Sequence, residues 1–179
     1  MNCVALDLPG CFELCPRVFR DARGTFVKSY HEDLFHTFGL RTDWREEFFT
    51  TSSRGVIRGM HFQVPPAQQA KLVTCIAGEA LDVMLDLRPG ASYGRWITLE
   101  LSGEKGNAAY IPEGIAHGFL AKAEGTTLHY KVTSLHSPGH DKGLRWDSFG
   151  FQWPEGEPLL SGRDEAFPAF AEFQTPFES

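Results

Sequence analysis

The 179-residue sequence predicts an all-β sandwich or barrel with little helix. Three observations lead there. Short segments rich in β-branched and aromatic residues recur along most of the chain. Glycine and proline, 18 and 11 of them, break these segments at close intervals. Only one stretch has a helical period. Hydrophobic residues make up 42% of the chain, which suits one full core. Residues 1–179 are therefore expected to form a single domain, with its barrel over about 23–153 and a loop-and-helix segment over 154–179.

In chain order, FVKSY (26–30) alternates as a strand does. SYHEDLFHTFGL puts Leu34, Phe35 and Phe38 on one face of a short helix that stops near Gly39. EFFTTSS (47–53) is β-prone. KLVTCIAGEALDVMLDL reads as two strands broken at Ala77–Gly78. RWITLEL, NAAYIP, HGFLAK and TTLHYKVTS continue the series. Beyond Trp153 the chain is rich in Pro, Glu and Phe and is expected to cover the barrel with loops and a short helix.

The net charge of -6 argues against nucleic acid or a membrane surface as partner, so an anionic ligand would need a local cluster of Arg and Lys. The start, MNCVALDLPG, lacks a basic segment followed by a long apolar run, and no apolar stretch approaches membrane-span length. Cys11 and Cys15 have no matching second pair, so zinc is not expected. Together with Cys3 and Cys75 they read as reduced thiols of a cytoplasmic protein.

Residues 58–63, RGMHFQ, set polar chemistry into an otherwise apolar strand. Five residues separate Gly55 from His61, and six separate Lys71 from Gly78. Downstream, GNAAYIPEGIAH fixes Gly106, Pro112, Gly114 and His117 at set offsets. Taken singly, His61 reads as a satisfied core histidine and Lys71 as a strand-end charge. Their joint spacing resembles the paired motifs of cupin-type jelly rolls, a double-stranded β-helix in which His61, Lys71 and His117 would converge on a cavity. The ligands of a cupin metal are altered: Gln63 replaces the second histidine, and Lys71 replaces the glutamate. An ammonium repels a divalent cation, so no metal is expected. Lys71 is then suited to stabilising negative charge on a substrate oxygen.

The stretches RGVIRGMHFQ, QAKLVTCIAGEALDVMLDLRPGASYGRW, IPEGIAHGFL, YKVTS and LSGRDEAFP resemble the dTDP-4-dehydrorhamnose 3,5-epimerases, from about Arg23 to Phe167. The resemblance implies a jelly-roll homodimer without metal or redox cofactor, acting on a nucleotide-linked 4-keto-6-deoxy sugar. It implies His61 as base, Asp164 as its carboxylate partner, Lys71 as enolate stabiliser and Tyr130 as acid. His117 would line the sugar pocket beside Gln63, and Arg23, Arg58 and Arg163 would face the diphosphate. A metal-dependent cupin and a non-catalytic sugar-binding jelly roll are the competing readings.

Three positions leave the family pattern. Glu46 and Phe48 stand where the family has Gln and Asn against the base, and Lys28 stands where it tends to have Glu. A carboxylate only accepts hydrogen bonds, so Glu46 suits a base with an amino group, as in a CDP- or GDP-linked sugar. Alternatively Glu46 and Lys28 pair with each other and thymine stacks on Phe19 or Phe26. His136 replaces a family tyrosine that lines the sugar site, which leaves open whether C3, C5 or both are inverted.

Overall fold

The computed structural model describes residues 1–154 and 156–178. Its six-stranded antiparallel sheet has the order β1 (Asn2–Ala5), β2 (Phe12–Cys15), β10 (Ala108–Ile111), β7 (Lys71–Ala77), β12 (Thr126–Val132), β5 (Glu46–Ser52). The five-stranded sheet has the order β13 (Asp141–Gly143), β6 (Ile57–Gln63), β11 (Ile115–Ala121), β8 (Glu79–Asp86), β9 (Trp96–Ser102). From β5 to β12 the chain crosses between the sheets at every step except β8 to β9. That connectivity is the cupin-like jelly roll. β3 (Val18–Asp21) and β4 (Gly24–Val27) form a separate hairpin. Among the described residues helix is confined to α1 (Glu32–Thr37), α2 (Gly162–Glu165) and a 3-10 turn at Phe170–Glu172.

Gly78 makes the crossing from β7 to β8. Its φ is +73°, and a Cβ there would come within 2.8 Å of the Thr126 Cα, so no larger residue fits. The strand period then sorts side chains to two faces. Val73 and Cys75 on β7, Leu128 and Tyr130 on β12, Ala80 and Met84 on β8, and Ile115 and Phe119 on β11 meet between the sheets. The opposite face of the five-stranded sheet carries Val83, Leu85, Ala116 and Leu120, covered by Trp153 and Phe177 from the C-terminal segment. The opposite face of the six-stranded sheet carries Leu14, Leu72 and Tyr110 beneath Phe35 of α1.

Every strand expected from sequence between 46 and 132 forms. The FVKSY strand is shorter: β4 ends at Val27. Tyr30 leaves the strand to pack its ring 4.8 Å from Phe35 and 6.3 Å from Trp44, so its apolar position served the α1 cluster. β1 and β2, which lie before residue 23, extend the six-stranded sheet through pairing of β2 with β10.

Candidate active site

A cavity of about 310 Å³ opens between the sheets. One wall is β6, and an irregularity in that strand decides what faces inward. His61 pairs with His117 and Arg58 with Phe119, so β6 has one residue more than β11 between the two pairs. This bulge resets the strand's alternation. Arg58, His61 and Gln63 all line the cavity, while Ile57, Met60 and Phe62 enter the outer core. The two strands nearly touch there: a Cβ on Gly59 would lie 2.5 Å from the Gly118 Cα. The two glycines in RGMHFQ and AHGF thus let one short segment aim both an arginine and a histidine at the same space.

His61 Nε2 lies 2.7 Å from Asp164 Oδ1. Asp164 reaches it from α2, whose N-cap Ser161 accepts the Asp164 N–H at 3.1 Å, and its Oδ2 accepts from Gly59 N at 3.3 Å. Burial pushes the Asp164 carboxyl upward, but the hydrogen bond and charge of His61 prevail and hold it below the usual carboxylate range. An ionised carboxylate only accepts, so the His61 Nε2 carries the proton and Nδ1 holds the free lone pair. This is the geometry of an oriented general base.

Lys71, on the facing sheet, is buried, and its Nζ donates to the His61 carbonyl at 3.0 Å. Desolvation lowers its ammonium from 10.5 to about 8, against the support of Asp141 and Asp82. Tyr130 is buried on β12, its ring stacked on Phe48 at 4.8 Å and edge-on to His117 at 5.9 Å. Burial, then the charge of Asp82, push its phenol far above the usual range, so it holds its proton until a strong base appears. His117 is buried with Nε2 2.6 Å from Asp82 Oδ1, and desolvation lowers its imidazole. Arg58 is aimed by Ser52 Oγ at 3.0 Å and the Thr51 carbonyl at 3.4 Å.

Gln63 lines the cavity, but its amide is taken up by the protein. Nε2 donates to Ala67 O at 2.7 Å and to Ser134 Oγ and Leu135 O at 3.2 Å; Oε1 accepts from Ser137 N at 2.7 Å. It ties two loops together rather than offering polar atoms to a ligand. With that amide engaged, both imidazoles bonded to carboxylates and Lys71 cationic, the remaining donors do not fit a divalent metal. Among the described residues no cluster of three His, Cys, Asp or Glu side chains is arranged to hold one.

Glu46, His136 and Arg163 stand at the mouth. Glu46 Oε2 accepts from the His136 backbone N–H at 2.7 Å, and among the described residues Glu46 makes no ion pair with Lys28. Of the two readings of Glu46, the pairing with Lys28 is not formed, and the carboxylate instead bonds the loop that carries His136. Arg163 Nη2 donates to Asp141 Oδ2 at 2.6 Å. Asp82 and Asp141 were not signalled as site residues by sequence. Asp82 could have been found as the one charge inside ALDVMLDL before its final Asp-Leu; Asp141 has no such signal.

Arg23, Phe19, Phe26 and Lys28 do not line the cavity of their own chain. Phe19, Arg23 and Phe26 lie on the β3–β4 hairpin or its turn, and Lys28 follows directly after it. Arg23 is bound to Asp21 at 2.6 Å with its side chain in solvent, and Phe19 and Phe26 pair at 6.1 Å with 46% and 61% of their surfaces exposed. The hairpin forms a two-stranded sheet of its own, held to the jelly roll by Arg20, which donates to the Glu104 carbonyl at 2.8 Å.

The family model described as dTDP-4-dehydrorhamnose 3,5-epimerase matches residues 5–172. The chain belongs to this epimerase family. A dTDP-4-dehydrorhamnose 3,5-epimerase of Shigella flexneri is 34% identical over 168 residues, covering 92% of this chain and 93% of its own. Among solved structures, NovW, a 4-keto-6-deoxy sugar epimerase from the novobiocin biosynthetic gene cluster of Streptomyces spheroides, superposes with a TM-score of 0.92 at 36% identity, covering 96% and 88% of the two chains. ChmJ, a 3'-monoepimerase from Streptomyces bikiniensis in complex with dTDP-quinovose, superposes with a TM-score of 0.89 at 29% identity, covering 98% and 92%. The epimerase is an isomerase by class. No helix among its described residues is long and apolar enough to cross a membrane.

Proposed function

We propose that this epimerase inverts C3 and C5 of a dTDP-linked 4-keto-6-deoxyhexose. The observation that carries the reading is the placement of His61 and Tyr130 on opposite sheets of one cavity, with the Lys71 ammonium buried between the strands. The 4-keto group acidifies the hydrogens on the two neighbouring carbons. His61 Nδ1 takes one of them, and the imidazolium is stabilised by Asp164. The electron pair moves onto O4, where the Lys71 ammonium meets the enolate charge. The Tyr130 hydroxyl then returns a proton to the opposite face of the carbon, and the cycle closes when the imidazolium proton replaces the one that tyrosine gave up. Arg58 and Arg163 suit the diphosphate by charge and fork geometry.

The working unit in this reading is a homodimer in the cytoplasm. The exposed Phe19 and Phe26, with Arg23 and Lys28 beside them, form an aromatic and basic arm without a role in their own cavity. In a dimer that arm covers the partner's cavity and meets its nucleotide. Free thiols, with Cys11 and Cys75 buried, accord with a reducing compartment.

A panel of 4-keto sugar nucleotides differing only in base, read by proton NMR, tests the substrate. Turnover is expected with dTDP; turnover confined to a CDP or GDP sugar would overturn that part. Light scattering supplies the second arm. A dimer is expected, and a monomer with full activity would remove the role given to the hairpin.

A further inference from the structure

Asp82 supports the Lys71 charge but bonds none of the groups that move protons in the steps above, and it occupies the interior face of β8 between Ala80 and Met84. Its side chain is fully buried. Oδ1 bonds His117 Nε2 at 2.6 Å, and Oδ2 has no hydrogen-bond partner among the described residues. A buried carboxylate with one unsatisfied oxygen is an expensive way to fill a core position. Packing therefore does not account for it, and among the described residues the one side chain it bonds to is a cavity histidine. Among the described residues His117 in turn has no partner for Nδ1, which is left for whatever occupies the cavity.

We propose that Asp82 is a positioning residue that holds His117 in the Nε2–H tautomer, so that Nδ1 is a lone-pair acceptor for a hydroxyl of the bound sugar. The inference rests on the cavity being a sugar site, as in the function proposed above. Since an ionised carboxylate accepts and cannot donate, Asp82 permits only this tautomer while the imidazole is neutral, and burial favours the neutral ring. The consequence is selectivity. A sugar carrying a hydroxyl donor opposite His117 completes the hydrogen bond, and a deoxy analogue leaves Nδ1 buried and unpaired. An asparagine at position 82 would reverse the arrangement by offering an N–H to Nε2, which moves the imidazole proton to Nδ1 and turns the acceptor into a donor.

The first test needs no substrate. Nitrogen-15 NMR of the wild type, with His117 assigned by comparison with His117→Gln, is expected to show Nδ1 unprotonated and Nε2 protonated. In Asp82→Asn the two signals are expected to exchange. A wild type with Nδ1 protonated, or an Asp82→Asn variant with unchanged signals, overturns the assignment whether or not the sugar reading is right.

The second test is kinetic, at about pH 6, where the Lys71 ammonium is retained. Asp82→Asn is expected to lower kcat/KM about tenfold or more, in line with a buried polar group left mispaired. The double variant Asp82→Asn/His117→Gln is expected to lose no more than His117→Gln alone, because Asp82 acts through His117. Multiplying losses would show an independent role and overturn the proposal. Thermal melting of each variant separates these effects from failure to fold.

Discussion

Replacing Lys71 by methionine should make the protein more stable and nearly inactive. The magnitude follows from the site. Lys71 is buried, and its ammonium is depressed from 10.5 to about 8. That depression corresponds to about 3 kcal/mol of cost for keeping the charge in place at neutral pH, net of the attraction of Asp141 and Asp82. Methionine fills much of the volume of the lysine stem without the charge. It forfeits one hydrogen bond to the His61 carbonyl, about 1 kcal/mol. The balance is a gain of about 2 kcal/mol, or roughly 4–8 °C in Tm for a chain of this size. Between pH 8 and 10.5 the unfolded chain binds more protons at this lysine than the folded one, so wild-type stability rises with pH across that window. The advantage of the variant should shrink over the same range. Urea unfolding of both proteins at fixed concentration, at pH 7 and at pH 9.5, reads this directly. Turnover should fall by about 10²–10³, the loss of one oxyanion-stabilising group. A Lys71→Met protein that is less stable than wild type, or that keeps its rate, would refute the reasoning.

Other outcomes follow from the same geometry. Turnover should decline as pH rises through about 8, because the ammonium that meets the enolate is lost there; a rate still flat at pH 9.5 would count against Lys71 in that role. His61→Ala should lower turnover by at least about a hundredfold, the low end for loss of a general base, with melting behaviour close to wild type. Tyr130→Phe should still allow solvent deuterium to enter the substrate while blocking net inversion. Equal loss of exchange and inversion would remove Tyr130 from the acid position.

Much of the fold was legible because periodicity and punctuation agree along the middle of the chain. β7 and β8 break at Gly78, where the backbone requires a positive φ, and α1 announces itself through Phe35 at the centre of an apolar face. β1 and β3 were not legible: at four residues each, with mostly exposed side chains, they carry no alternation to read. β13 has only three residues. Within the site, fixed spacing pointed to His61, Lys71 and His117, which the β6 and β11 pairing brings to one wall or faces across it. Gln63 was read as a ligand-facing amide because spacing shows which wall a residue joins, whereas its partners come from loops distant in sequence. Asp82 was missed because one aspartate in an apolar strand resembles an ordinary strand-end polar residue until its burial and its bond to His117 are known. Arg23, Phe19, Phe26 and Lys28 do not line the cavity of their own chain. Resemblance says that a residue lines a site but not which copy of the chain supplies it.

The central claim is that one cavity moves protons at the carbons beside the 4-keto group, with His61 as the base. Proton NMR of a dTDP-linked 4-keto-6-deoxyhexose in deuterated water, with wild type and with His61→Ala, tests it most directly. Wild type is expected to wash out the hydrogens at C3 and C5, and His61→Ala to leave both in place over the same period. Wild type that exchanges neither hydrogen, or His61→Ala that exchanges both at the wild-type rate, would contradict it.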